Sequence, residues 1–144
     1  MKGKLMHCAR FIVLLLVFTV VTAVQAQDTL QYGPSVVTIT GVAVSDTFPG
    51  PPNYESIQAG DKPEDYWVLR LSSPIFVLGA PNDDLNVSEN DISALQLVFM
   101  NSDDYNTYRK LLNGKVKVTG TLFHAMSGHH HTKVLLAVKN MVAG

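Results

Sequence analysis

A mainly β fold with one short helix is what this sequence predicts, and three observations carry the prediction. Runs rich in β-branched and aromatic residues recur along the chain, beginning with Val36–Asp46 (VVTITGVAVSD). One segment alone, opening at Ser102, combines helical spacing with helical end signals. The resulting order is strand, strand, strand, helix, strand, strand. That is the chain order of a small five-stranded OB-like Greek-key barrel, with its helix between strands 3 and 4. Another small β-barrel or sandwich is the competing architecture.

The first strand is Val36–Asp46, broken only by Gly41. The second is Tyr66–Leu71 (YWVLRL), which Pro74–Leu78 (PIFVL) extends or follows. The third is Ile92–Met100 (ISALQLVFM). Trp67, inside an apolar strand, is expected in the core. Ser102 is placed to cap the helix, and Asp103 and Asp104 stand in its first turn, where negative charge suits the helix dipole. Arg109 and Lys110 stand in its last turn, and Asn113-Gly114 provides the stop. Tyr105, Tyr108, Leu111 and Leu112 share one helical face, a stripe expected to pack on the core. Lys115–His124 (KVKVTGTLFH) and Thr132–Val138 (TKVLLAV) complete the set. Val37–Gly41 (VTITG) echoes Val116–Gly120 (VKVTG) at the first and fourth strand positions. A mid-strand glycine in each permits the sharp bend or bulge that a small barrel needs.

Ahead of these elements the chain reads as a secretory signal peptide over residues 1–26. Lys2, Lys4 and Arg10 form a basic region, Phe11–Val24 is apolar, and Val24-Gln25-Ala26 supplies a cleavage site before Gln27. An uncleaved anchor fits less well, because the apolar run is shorter than the roughly 20 residues a bilayer needs. Cys8, the single cysteine, precedes that run, so the mature chain is expected to be cysteine-free and not lipidated. The organisation read from sequence is a signal peptide (1–26), an N-terminal extension (27–35) and an OB-like domain (36–141). The expected location is exported, periplasmic or secreted, with no membrane span after cleavage.

From Gln27 onward, 8 basic residues face 12 acidic ones, a formal charge of −4. An acidic surface without a Lys/Arg stripe argues against nucleic acid and against anionic lipid as partners. No G-x-S-x-G elbow, phosphate-binding loop or dinucleotide glycine pattern is present, so binding is favoured over catalysis.

Two segments carry the functional expectation. Four of the five histidines fall within eight residues, His124, His129, His130 and His131. Imidazole is the commonest metal ligand and titrates near neutral pH. Val116, Val118, Leu122 and His124 share one face of their strand, as do Val134, Leu136 and Val138 of the next, with His130 in the same parity. Both faces turn inward only if an odd number of residues connects the strands. A three-residue loop, Met126-Ser127-Gly128 with Gly128 left-handed, satisfies this and would set His124 opposite His130 in the barrel mouth. Zinc, copper or nickel would accept such nitrogen donors, although no established zinc spacing is present. The plainer reading is a polar hairpin end hydrogen-bonded to carbonyls or water.

The second segment, residues 48–65, is long and stiffened by prolines; connections beyond about 12–15 residues are often functional. It carries Tyr54, Glu55, Asp61 and Glu64. In an OB-fold this loop and the histidine turn flank one binding face. Tyr54, Glu55, Asp61 and Tyr66 are therefore the expected ligand contacts, with Glu55 or Asp61 completing a metal site or orienting an imidazole. A third loop, Gly79–Asn90, is acidic but lacks the order of a calcium loop, and Asn86-Val87-Ser88 matches a glycosylation acceptor.

Several stretches resemble a family of small exported bacterial domains, domain-of-unknown-function family 4431. They are FPGPPNYESI (48–57), Gly60-Asp61 with Pro63-Glu64, YWVL (66–69), VTGTLFHA (118–125) and GHHHT (128–132). The resemblance implies an envelope or secreted β-rich protein and brings no catalytic residues. The combined expectation is an exported binding module for a small ligand, a transition metal or an envelope protein. Its site would lie between the proline-rich loop 48–65 and the histidine turn 124–131. The alternative is a metal-dependent hydrolase at the same place, with Glu55 or Asp61 as base.

Overall fold

The computed structural model describes residues 27–144, so the signal peptide read in residues 1–26 lies outside the described residues. Regular alternation builds the long strand β2 (Val36–Pro49), which buries Val37, Ile39 and Ala43 and exposes Thr38, Thr40 and Val42. β2 is antiparallel to β5 (Lys115–His124) along its first half and to β3 (Pro63–Leu78) along its second. Val42 is the crossover, opposite Lys115 on one side and Arg70 on the other. β3 is antiparallel to β4 (Glu89–Phe99), β4 is parallel to β6 (Val134–Ala143), and β6 is antiparallel to β5. The pairing therefore runs round a ring of five strands, β2-β3-β4-β6-β5, and returns to β2.

The sheet holds six strands rather than the expected five. The additional one, β1 (Asp28–Gln31), runs parallel to Ile75–Leu78. Its sequence, DTLQ, has one apolar residue and no readable alternation, so only tertiary pairing defines it. Pro74 does not end β3. It sits in the register shift between Arg70 and Ile75, where no ladder N–H is required.

Leucines and valines of the five ring strands fill the interior, among them Leu69, Leu95, Leu97, Val116, Leu122 and Leu136. Trp67 joins them as expected, edge-on to Phe99 and Tyr105. Helix α1 (Ser102–Tyr108) leads into a 3-10 turn at Arg109–Leu111. Its N-cap is Asn101 rather than Ser102, and no side-chain hydrogen bond caps it. The expected stripe of Tyr105, Tyr108, Leu111 and Leu112 packs against the core. Both echoed glycines stand at close approaches. A Cβ on Gly41 would strike the Arg70 carbonyl, and one on Gly120, facing the bulge at Lys139 of β6, would strike the Ala137 carbonyl.

The last hairpin keeps the expected inward faces but not the expected loop. His124 pairs with Val134, so the connection is the nine residues 125–133. Nine is odd, which preserves the parity that three would have given. Gly128 is not left-handed; among the described residues Gly60 is the only glycine with positive φ. No helix among the described residues is long and apolar enough to cross a membrane.

Candidate functional site

The loop 125–133 owes its position to the outer face of the sheet. On that face Val68, Gln96 and Leu135 stand in one row across β3, β4 and β6, and all three are buried although they point away from the core. The Gln96 side chain reaches the loop with both ends of its amide. Nε2 donates to the His129 carbonyl at 2.9 Å, and Oε1 accepts the His131 N–H at 2.7 Å. Thr132 adds a third tie, accepting the Gln96 N–H at Oγ1 and donating to the Val134 carbonyl. A buried amide satisfied at both ends is a specific fastener, because unpaired it would carry the full cost of desolvation.

The proline-rich connection, residues 50–62, is organised from within by Asp61. Its carboxylate accepts the backbone N–H groups of Asn53, Glu55 and Ser56, at 2.8–2.9 Å, and the Asn53 side-chain amide at 3.2 Å. These donors hold the Asp61 carboxyl below the usual carboxylate range. Asp61 thus fastens the loop internally. Glu55 gives its N–H to this arrangement and leaves its side chain exposed. Tyr54 occupies the left-handed region at φ 61°, an uncommon conformation for a bulky residue, with its N–H on the Gly50 carbonyl.

The two loops meet at His129. Its Nε2 lies 3.1 Å from the Tyr54 hydroxyl, and its Nδ1 lies 3.0 Å from the Tyr66 hydroxyl and 3.1 Å from Glu64 Oε2. In the tautomer with the proton on Nδ1, Tyr54 donates to Nε2. Tyr66 also donates to Glu64 Oε2 at 2.8 Å. Burial, with the Glu64 carboxylate beside it, pushes the Tyr66 phenol up to about 12, and its hydrogen bond holds the Glu64 carboxyl low. Gly128 packs on the Tyr54 ring so closely that a Cβ there would lie 2.7 Å from it. His131 stacks on Phe48, with centroids 4.5 Å apart and planes 7° from parallel, and lies 5.0 Å from Tyr66. Burial lowers the His131 pKa against the opposing pull of Glu64, and its Nε2 is buried without a partner. Beside these rings runs an open groove of about 370 Å³, lined in part by Asp46, Phe48, Arg70, Ser93 and Thr132. Arg70 Nη2 lies 2.9 Å from both oxygens of Asp46.

Tyr54 and Tyr66 are therefore brought together as expected, with His129, whereas Glu55 and Asp61 are not part of the cluster. The four histidines expected as metal ligands are dispersed. His124 binds Glu89 Oε1 through Nε2 at 3.0 Å, edge-on to Tyr32, and its N–H donates to the Asn86 side chain. His130 accepts the Met126 N–H at Nδ1, packs edge-on against Phe123, and is held below its ordinary pKa by burial. The physical cause is the nine-residue loop, which leaves β5 and lies over the outer face instead of turning back within the mouth. His124 is consequently opposite Val134, not His130. Among the described residues no group of three or more His, Cys, Asp or Glu side chains is placed to hold a metal ion. In the acidic loop, Asp83 accepts from Leu85 and Asn86, and the Asn86 amide is engaged at both ends.

Glu64, noted in segment 48–65 but not among the expected contacts, and Gln96, not singled out at all, are the residues the structure adds to the candidate site. Glu64 had a readable signal, because it shares strand parity with Tyr66. Gln96, a lone polar residue between Leu95 and Leu97, had a fainter one.

A family model described as a domain of unknown function, DUF4431, matches residues 94–141. The match includes Gln96 and all four clustered histidines and stops short of the proline-rich loop. Neither a curated protein nor a solved structure matches the chain. The resemblance seen in the sequence is supported over this stretch, residues 94–141, where the chain is similar to family DUF4431.

Proposed function

We propose that the chain is an exported, OB-like binding module whose ligand sits on the outer face of β3, between loop 50–62 and loop 125–133. The observation that carries this reading is the junction of the two loops at His129 with Tyr54, Tyr66 and Glu64, beside an open groove. The ring order β2-β3-β4-β6-β5, with a helix between its third and fourth strands in sequence, supports an OB-like barrel. In such folds the face of the second and third strands and the two flanking loops bind ligands. The strained Tyr54 backbone supports the same place, since strain of this kind collects at ligand clamps. Metal-dependent hydrolysis at this site finds no set of three donors among the described residues. Export rests on the basic and apolar pattern of residues 1–26, and N-terminal sequencing of the purified protein is expected to begin at Gln27.

The binding reading is tested by NMR titration of the purified protein with a library of small polar and aromatic molecules. Amide shifts are expected around Tyr66, Arg70, His129 and Thr132. Tyr66→Phe combined with His129→Ala should weaken the interaction by at least tenfold. Shifts confined to another surface, such as the cleft between Tyr108, Leu111 and Met141, would refute it.

A further inference from the structure

We infer that the ligand is a neutral oligosaccharide, an inference that rests on the binding reading and names the class of molecule the site takes. A sugar ring has an apolar C–H face and a rim of hydroxyls. It is recognised by flat apolar rings beside planar donors and acceptors. The site offers both kinds of group in sequence. Tyr54, His129, Tyr66, His131 and Phe48 form a continuous row, joined by centroid separations of 5.0, 5.0 and 4.5 Å and by the His129–Tyr66 hydrogen bond. Amphipathic rings of this sort supply contact area on one side and polar edges on the other.

Where the row ends at Phe48, the groove begins, and its polar groups suit vicinal hydroxyls. Arg70 uses Nη2 toward Asp46, and with 61 % of its side chain exposed the rest of the guanidinium faces solvent. Asp46 is an acceptor beside that fork, so one hydroxyl can accept from Arg70 while its neighbour donates to Asp46. Ser93 and Thr132 add hydroxyls to the lining. The volume of about 370 Å³ is at the lower end of the roughly 300–1,000 Å³ typical of small-molecule sites, room for a mono- or disaccharide. Further sugar units would then lie along the row of rings.

Charge selects among ligands that stack on rings. Single-stranded nucleic acid also stacks on aromatic side chains, but it needs a basic track for its phosphates. Here Asp46 and Glu64 flank the rings, Arg70 is already paired, and the chain from Gln27 carries a formal charge of −4. The same carboxylates disfavour acidic glycans. A wholly apolar ligand would leave the Asp46–Arg70 pair desolvated and uncompensated.

The test titrates the labelled full-length secreted protein with cellotetraose, maltotetraose and chitotetraose, and separately with a hexathymidylate. One or more of the saccharides is expected to bind saturably and shift the amides of Tyr66, Arg70 and Thr132. Arg70→Gln, at an exposed position that should leave the thermal midpoint unchanged, is expected to weaken that binding at least tenfold, and Lys110→Ala to leave it within twofold. If all three saccharides fail, or if hexathymidylate binds this face more tightly, the oligosaccharide assignment is overturned. Shifts of the same amides by other small molecules would then leave the binding reading standing. If nothing perturbs this face, both fall together.

Discussion

Gln96 shows how one side chain fixes a loop. Replacing it with alanine removes two hydrogen bonds and leaves the His129 carbonyl and His131 N–H without partners, so Gln96→Ala should cost about 2 kcal/mol in urea denaturation. The same variant should raise amide exchange across residues 127–133 while leaving β5 and β6 protected. The loop should also loosen in acid. Burial holds His131 below its ordinary 6.5, so the unfolded chain takes up that proton first, and stability falls as the pH drops below 6.5. Glu64, held below 4.5, contributes fully above that value and loses its contribution as the pH falls through its lower folded value. Both act in one direction. Asp61, depressed from 3.8, sustains loop 50–62 further into acid. Amide exchange followed against pH should therefore show residues 125–133 loosening before residues 50–62, and the reverse order would contradict this assignment of fasteners. The meeting of Tyr54 and Tyr66 at one place was legible because aromatics beside turn-forming residues are conspicuous. Asp61 and Glu55 stand apart from the His129 cluster, because sequence gives a carboxylate's position but not whether neighbouring N–H groups already occupy it.

At the scale of elements, strand faces were easier to read than connections. Val116, Val118, Leu122, Val134 and Leu136 turn inward as alternation requires. Loop lengths of three and nine satisfy the same parity, so periodicity could not choose between them. The choice is made by the buried row of Val68, Gln96 and Leu135, which comes from three separate strands and needs a cover. The brief polar β1 was illegible for the same reason, since its partner is distant in sequence. The mid-strand glycines were readable, and Gly120 gives a sharp test. A methyl group there meets the Ala137 carbonyl at the bulge, so Gly120→Ala should destabilise the protein by roughly 2 kcal/mol or more. Calorimetry would check this. A neutral effect would mean that β5 and β6 are not so closely apposed.

Ring pairing gives every one of the five central strands two neighbours, whereas β1 has β3 alone. Amide exchange is therefore expected to be slowest in β5 and β6 and fastest among the strands in Asp28–Gln31, because four paired residues at one edge open without disturbing the core. The ring also explains how distant segments come to share a surface. Loop 50–62 leaves the far end of β2, loop 125–133 crosses from β5, and the outer face of β3, β4 and β6 provides their floor. The proposed site depends on the meeting of these two loops. The nuclear Overhauser contact between the Gly128 α-protons and the Tyr54 ring measures it most directly. Strong cross-peaks and ring-shifted Gly128 protons, both lost in Tyr54→Ala, are the predicted result. A Gly128 with random-coil shifts and no contact to Tyr54 would contradict the account.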